Sequence, residues 1–184
     1  MLLVAGADLD TPTDDGTPLI CAASRSPNQQ IVQMLLAVGV NLNVVVGSGM
    51  TPISVASLFG HHQVVELLLA YGANLNAMTD NGSSPLHIAA FHGHHQVVEL
   101  LLAAGANPNI KNNHGKLPIA LAREGEHHNV VKMLSVGLSP SIISDLKERL
   151  GTSDREKRLP RYYDIMKVFF GNILSSPCRR AYFG

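Results

Sequence analysis

Apolar and polar positions along the chain fall into blocks that return at a nearly fixed interval. The clearest block is "GHHQVVELLLA", present without a change at Gly60–Ala70 and at Gly93–Ala103. Within it the apolar residues Val97, Val98, Leu100, Leu101 and Leu102 cover most of a helical circumference, which predicts a helix flanked by neighbours on both sides. A second kind of block precedes each such helix. "TPLICAAS" starts at Thr17, "TPISVASL" at Thr51, "SPLHIAAF" at Ser84 and "LPIALARE" at Leu117, so that Pro18, Pro52, Pro85 and Pro118 step by 34, 33 and 33 residues. A fixed period in this range decides the architecture before any local assignment does.

Each unit reads as a helix, a turn, a second helix and a glycine-punctuated loop. Proline fits a first turn, where no N–H partner is required, and the Thr or Ser before it can cap the helix. Small residues such as Ala56, Ala89 and Ala90 allow a neighbouring helix to come close. Gly60 and Gly93 let the chain reverse, and Gly72 and Gly105 sit where a helix ends. The units close alike, as "LLAVGVNLN", "LLAYGANLN" and "LLAAGANPN". One such unit cannot bury so much leucine alone, so the units must stack, and the verbatim segment is the packing surface that every interface reuses.

The pattern carried by "NGSSPLHIAAFHGHHQVVELLLAAGANPN" at Asn81–Asn109 resembles the ankyrin repeat. The resemblance covers about residues 1–137 and implies an all-α solenoid of stacked helix-turn-helix repeats joined by hairpin loops, with a short helical C-terminal tail. The units are expected at 14–46, 47–79 and 80–112, with a degenerate one at 113–137 and the tail at 138–184. The first full unit is one residue short at "DDGTP" and one long at "ASRSPNQQ", and Leu117 replaces the Thr of the fourth, so these two are expected to be looser. "MLLVAGADLD" aligns with "MLLAVGVNLN" 33 residues later, so residues 1–13 read as a partial repeat and further repeats are expected upstream.

Composition narrows the classes. Of 184 residues 46% are apolar, enough for a core in about one domain. The apolar runs fall short of the roughly 18 residues of a membrane span, so no membrane insertion is expected. Cys21 and Cys178 form no CxxC pair, which argues against a disulfide framework or a zinc site and fits a cytoplasmic or nuclear setting. Fourteen Lys/Arg against fourteen Asp/Glu give no nucleic-acid signal. The body is nonetheless acidic and the tail basic: residues 1–137 hold 5 Lys/Arg and 9 Asp/Glu, the remainder 9 and 5.

Candidate chemistry is sparse. The pairs His61–His62, His94–His95 and His127–His128 point in diverging directions from their helices, and stacked units stand too far apart to share an ion, so no metal site is expected. The resemblance makes the first His of each pair, and His87, structural. No nucleophile elbow, phosphate loop or HExxH is present, so neither catalytic residues nor cofactors are expected. Cys21, in a small-residue slot, reads as buried packing.

The resemblance further implies that hairpin tips and the exposed side of the first helices line a concave face that binds another protein. Here that face comprises Val45, Ser48, Met50, Leu58, Phe59, Met78, Asp80, Asn81, Ser83, Phe91 and His92, and further along Lys111, Asn113, His114, Lys116 and Glu124. Exposed Met and aromatic side chains in one patch favour a protein interface. Asn43, Asn76 and Asn109, each eight residues after a leucine, are the positions where the resemblance implies asparaginyl hydroxylation; their other reading is turn stabilisation. In the tail, "SPSIISDLKERL" spaces Ile142, Ile143, Leu146 and Leu150 as a helix does, and "IMKVFFGNIL" reads as a degraded final helix that caps the stack. The "Leu-Cys-Arg" core of a ubiquitin-ligase docking box is not found. The function read from all this is a non-catalytic interaction module or adaptor, a monomer or part of a longer chain. The alternative is a regulatory segment of a larger enzyme or of a ubiquitin-ligase substrate receptor.

Overall fold

The computed structural model describes residues 16–150, and within them all regular secondary structure is helical. Four helix pairs follow one another: α1 (Leu19–Ser24) with α2 (Gln29–Ala37), α3 (Pro52–Phe59) with α4 (His62–Ala70), α5 (Pro85–Phe91) with α6 (His95–Ala103), and α7 (Pro118–Glu124) with α8 (His128–Val136). First helices pack on first helices, α1 on α3, α3 on α5 and α5 on α7, and second helices do the same through α2, α4, α6 and α8. The result is two parallel layers. None of the described helices is long and apolar enough to cross a membrane.

The core lies between the layers. Ile53 and Leu86 from first helices meet Val64, Val65, Leu68, Val97, Val98 and Leu101 from second helices, all fully buried. Ala56, Ala89 and Ala122, also fully buried, keep the first helices close to one another. Each unit alone would leave these side chains in water, so stacking is what stabilises the fold.

Helix starts differ in a way the sequence does not announce. Ser84 caps α5 with its side chain, whereas Thr51 accepts no cap hydrogen bond from α3 and shares its hydroxyl with Ser54 Oγ at 3.1 Å instead. Pro18 immediately precedes α1 rather than occupying its first turn. At the end of α7 the glycine has moved by one position. Glu126 therefore takes the left-handed conformation, φ 57°, that Gly60 and Gly93 take at φ 72° in the preceding units, a strained arrangement that makes the fourth unit less regular.

A ninth helix, α9 (Pro140–Leu150), follows the repeats. This first part of the tail lies against α6 and α4, along the back of the middle second helices. Leu146 and Leu150 are buried there, Ile142 stays exposed, and Arg149 reaches Glu66 Oε2 at 2.8 Å. The partial repeat at 1–13, Cys178 and "IMKVFFGNIL" lie outside the described residues.

Candidate functional site

Histidines fix the first-helix layer. His61 Nε2 donates to the carbonyl of Arg25 at 3.1 Å, His94 Nε2 to that of Leu58 at 3.0 Å, and His127 Nε2 to that of Phe91 at 3.0 Å. Each carbonyl sits at the end of the previous unit's first helix, where a helix leaves its oxygens unpaired. Room for the ring comes from that unit's glycine: a Cβ on Gly60 would come within 2.6 Å of the His94 ring, and one on Gly93 would collide with His127 in the same way. The Gly-His pairs that repeat in the sequence thus join consecutive units, glycine of one to histidine of the next.

His87 works within and between units. Its Nδ1 accepts from the Ser84 N–H at 3.2 Å and lies 2.8 Å from Ser84 Oγ, while its Nε2 donates to the Lys116 carbonyl at 3.2 Å, closing a capping box at the start of α5. The ring is fully buried, and burial lowers its pKa below the usual 6.5 against the opposing pull of the Lys116 and Ile110 carbonyls. Cys21, also buried, has its thiol pushed up to about 11 by burial, which leaves it a packing group with little thiolate.

The loops between units form hairpins whose tips are laced together. Thr79 N–H donates to the Ser83 carbonyl at 3.1 Å and Asn112 N–H to that of Lys116 at 3.0 Å. From tip to tip, Asp80 N–H donates to Ser48 O at 3.0 Å and Asn113 N–H to Asn81 O at 3.0 Å. These bonds hold the tips as a ridge facing the first-helix layer.

Between ridge and layer runs a groove of about 430 Å³. Eleven of the expected residues line it: Ser48, Met50, Leu58, Asp80, Asn81, Ser83, Phe91, His92, His114, Lys116 and Glu124. Its floor is apolar, supplied by Ile88 and Leu121 beside Leu58 and Phe91, and Lys116 with Glu124 closes one end through an ion pair of 2.8 Å. A smaller pocket of about 290 Å³ continues toward α1, shares Ser48, Met50 and Leu58 with the groove, and holds Phe59, Val55 and Arg25. Phe59 is 44% exposed and Phe91 48%, so neither ring belongs to the core. Phe59 stacks on His61 at 5.9 Å, and one unit later His92 stacks on His94 at the same distance. Phe91 occupies the place equivalent to Leu58, with its ring edge-on to His92 at 5.0 Å. Burial, followed by the neighbouring His94 and His127 rings, lowers the pKa of His92 below the usual 6.5.

Some expected residues serve differently. Met78 and Lys111 are exposed but line neither space. Asn113 also lines neither; its Nδ2 donates to Asp80 O at 3.0 Å, which makes it part of the ridge's lacing. Ser83 touches the groove but is buried, its N–H donating to Thr79 Oγ1 and Asn81 Oδ1 at 3.1 Å. Turn stabilisation at Asn43, Asn76 and Asn109 comes from residues two positions earlier: Asn41, Asn74 and Asn107 accept the N–H of Asn43, Asn76 and Asn109 at 3.0, 3.0 and 2.9 Å. The Asn43 side chain instead accepts from Asn74 N–H of the next unit at 3.3 Å. Thr79, Ile88, Asn112 and Leu121 escaped the reading of the sequence. The signal was their phase, since Thr79 and Asn112, like Val55, Ile88 and Leu121, recur at the 33-residue period.

The family model for ankyrin repeats (many copies) matches residues 19–69 and 54–102, spanning the first three helix pairs described above. This is an ankyrin-repeat protein. No curated protein matches the chain. Ankyrin repeats are generally protein-interaction modules and typically non-catalytic, and in this ankyrin-repeat protein the matched stretch ends at Leu102, before the unit with the misplaced glycine.

Proposed function

We propose that this ankyrin-repeat protein is a non-catalytic protein-binding module, acting in the cytoplasm or nucleus, that holds a protein partner in the groove between its hairpin ridge and its first-helix layer. The observation that carries the reading is the pair of half-exposed rings, Phe59 and Phe91, set in adjoining pockets while the residues around them that build the frame are fully buried. The frame repeats and the groove does not: "SLFG" stands against "AFHG" and "GSGM" against "DNGS" at equivalent places. Rigid helices with a laced ridge pre-organise such a surface, so little ordering opposes binding.

Phe59→Ala with Phe91→Ala is expected to weaken binding to a partner, captured by proximity labelling and then purified, by about 2 kcal/mol or more. The melting temperature should stay nearly unchanged. An equal fall in stability would assign both rings to the core. An unchanged set of captured proteins from a folded double variant would contradict the groove as the binding surface.

A further inference from the structure

The charges around the groove are unequal in how they are satisfied. Glu124 is neutralised by Lys116 at 2.8 Å. Asp80 is exposed at the ridge, and no described side chain donates to or pairs with its carboxylate. Its backbone is held at both ends, by N–H to Ser48 O and by Asn113 Nδ2 to its own carbonyl, so the residue keeps a fixed place in the lining of the groove. His92, which lines the same groove, has its pKa lowered by burial and makes no ion pair with Asp80. The larger groove therefore presents one uncompensated negative charge. Arg25 lines the far pocket, so the two ends differ in sign.

The apolar features come in a pair. The groove and the smaller pocket share Met50 and Leu58 as a common wall and repeat with the helices, whose axes stand about 8–10 Å apart in packed layers. An extended chain in the polyproline-II conformation rises about 3.1 Å per residue and turns once every three residues, so side chains three residues apart share one face and span that distance.

We propose that the groove takes a linear, extended segment of a partner protein with two large apolar side chains about three residues apart, one in each pocket, and a Lys or Arg that meets Asp80. This rests on the groove being the binding surface. The apolar pair supplies most of the affinity, and the cation sets the direction and selects among apolar segments, since an exposed ion pair adds little energy and discriminates mainly by sign.

The test is selection of a displayed library of random 12-residue peptides on the full chain, on Asp80→Asn, on Asp80→Lys and on Phe91→Ala, with affinities of selected peptides measured by fluorescence anisotropy. Asparagine fits this place, because Asn113 holds the equivalent position one unit on. Peptides from the parent should share the apolar pair and a Lys or Arg at fixed spacing. They should bind Asp80→Asn about two- to fivefold more weakly, and Asp80→Lys should enrich Asp or Glu instead. If the peptides lose binding to Phe91→Ala but show no charge preference, or select identically on Asp80→Lys, the proposed chemistry is wrong and the groove reading stands. If no peptide is selected, or the selected ones bind Phe91→Ala as well as the parent, both fail.

Discussion

Leu101→Ala should destabilise the stack by about 2–5 kcal/mol, the range for truncating a well-packed buried leucine. Leu101 is fully buried within α6, in the cluster that Leu68 of α4 and Val97 and Val98 also build. Its own backbone carbonyl accepts Ala106 N–H at 2.9 Å, which fixes the loop after the helix. Loss of the side chain removes apolar burial and leaves a cavity that helices pinned on both sides cannot close. Urea denaturation followed by circular dichroism measures the loss. Leu101→Met, nearly the same in volume, should cost under about 1.5 kcal/mol. A loss below about 1 kcal/mol for the alanine variant would place Leu101 outside the inter-repeat core.

His87→Ala comes next, with an expected loss of about 2–4 kcal/mol, because three effects act together. The side-chain half of the capping box at Ser84 disappears, leaving Ser84 N–H without its acceptor while Ser84 Oγ keeps the backbone N–H of residue 87. The Lys116 carbonyl loses the donor that ties α5 to the following hairpin and keeps only Asn112 N–H, and a lost hydrogen bond of this kind costs about 0.5–1.5 kcal/mol. A cavity also remains where the imidazole was fully enclosed. The same residue gives stability a pH dependence whose sign is fixed. Burial depresses the folded-state pKa of His87 below the 6.5 of an exposed histidine, so the unfolded chain takes up protons more readily. Its contribution is complete above about pH 6.5 and falls as pH drops through that value toward the folded pKa. His92 acts in the same direction from a more open position. Urea midpoints between pH 7.5 and 5 should therefore fall for the parent and fall less for His87→Ala. An equal slope in both would remove His87 as the cause.

The frame was legible because each of its parts answers a repeated requirement. A proline that starts a first helix, a glycine that reverses the chain and a leucine-rich second helix recur in phase, so the stacked helix pairs followed from spacing and periodicity. The histidines after the glycines were legible as structural, but not their partners, since His94 bonds a carbonyl 36 residues away and fits only because Gly60 lacks a side chain. The groove was legible in outline. Position in the period puts Leu58, Phe91 and Asp80 on one face, yet period alone cannot separate Asp80, which lines the groove, from Asn113 one unit on, whose amide turns sideways to lace the ridge. It also could not show that Ser83 is buried or that the Asn two places before Asn76 makes the turn, because hydrogen-bond competition between neighbouring polar residues decides both. The docking of α9 was not legible either. The spacing of Ile143, Leu146 and Leu150 predicts an apolar stripe but not the surface that receives it, and here the back of α4 and α6 accepts the stripe, with Glu66 meeting Arg149.

Hydrogen exchange on the chain alone and with its captured partner tests the central claim most directly. Exchange slows where backbone amides become covered or stabilised, so the footprint reports which side of the two layers the partner meets. Added protection should fall on the hairpin tips at 48–50, 79–83 and 112–116 and at the ends of α3 and α5, the elements that build the groove. Protection confined to α4, α6 and α9, with the hairpin tips unchanged, would put the partner on the back of the stack and contradict the account.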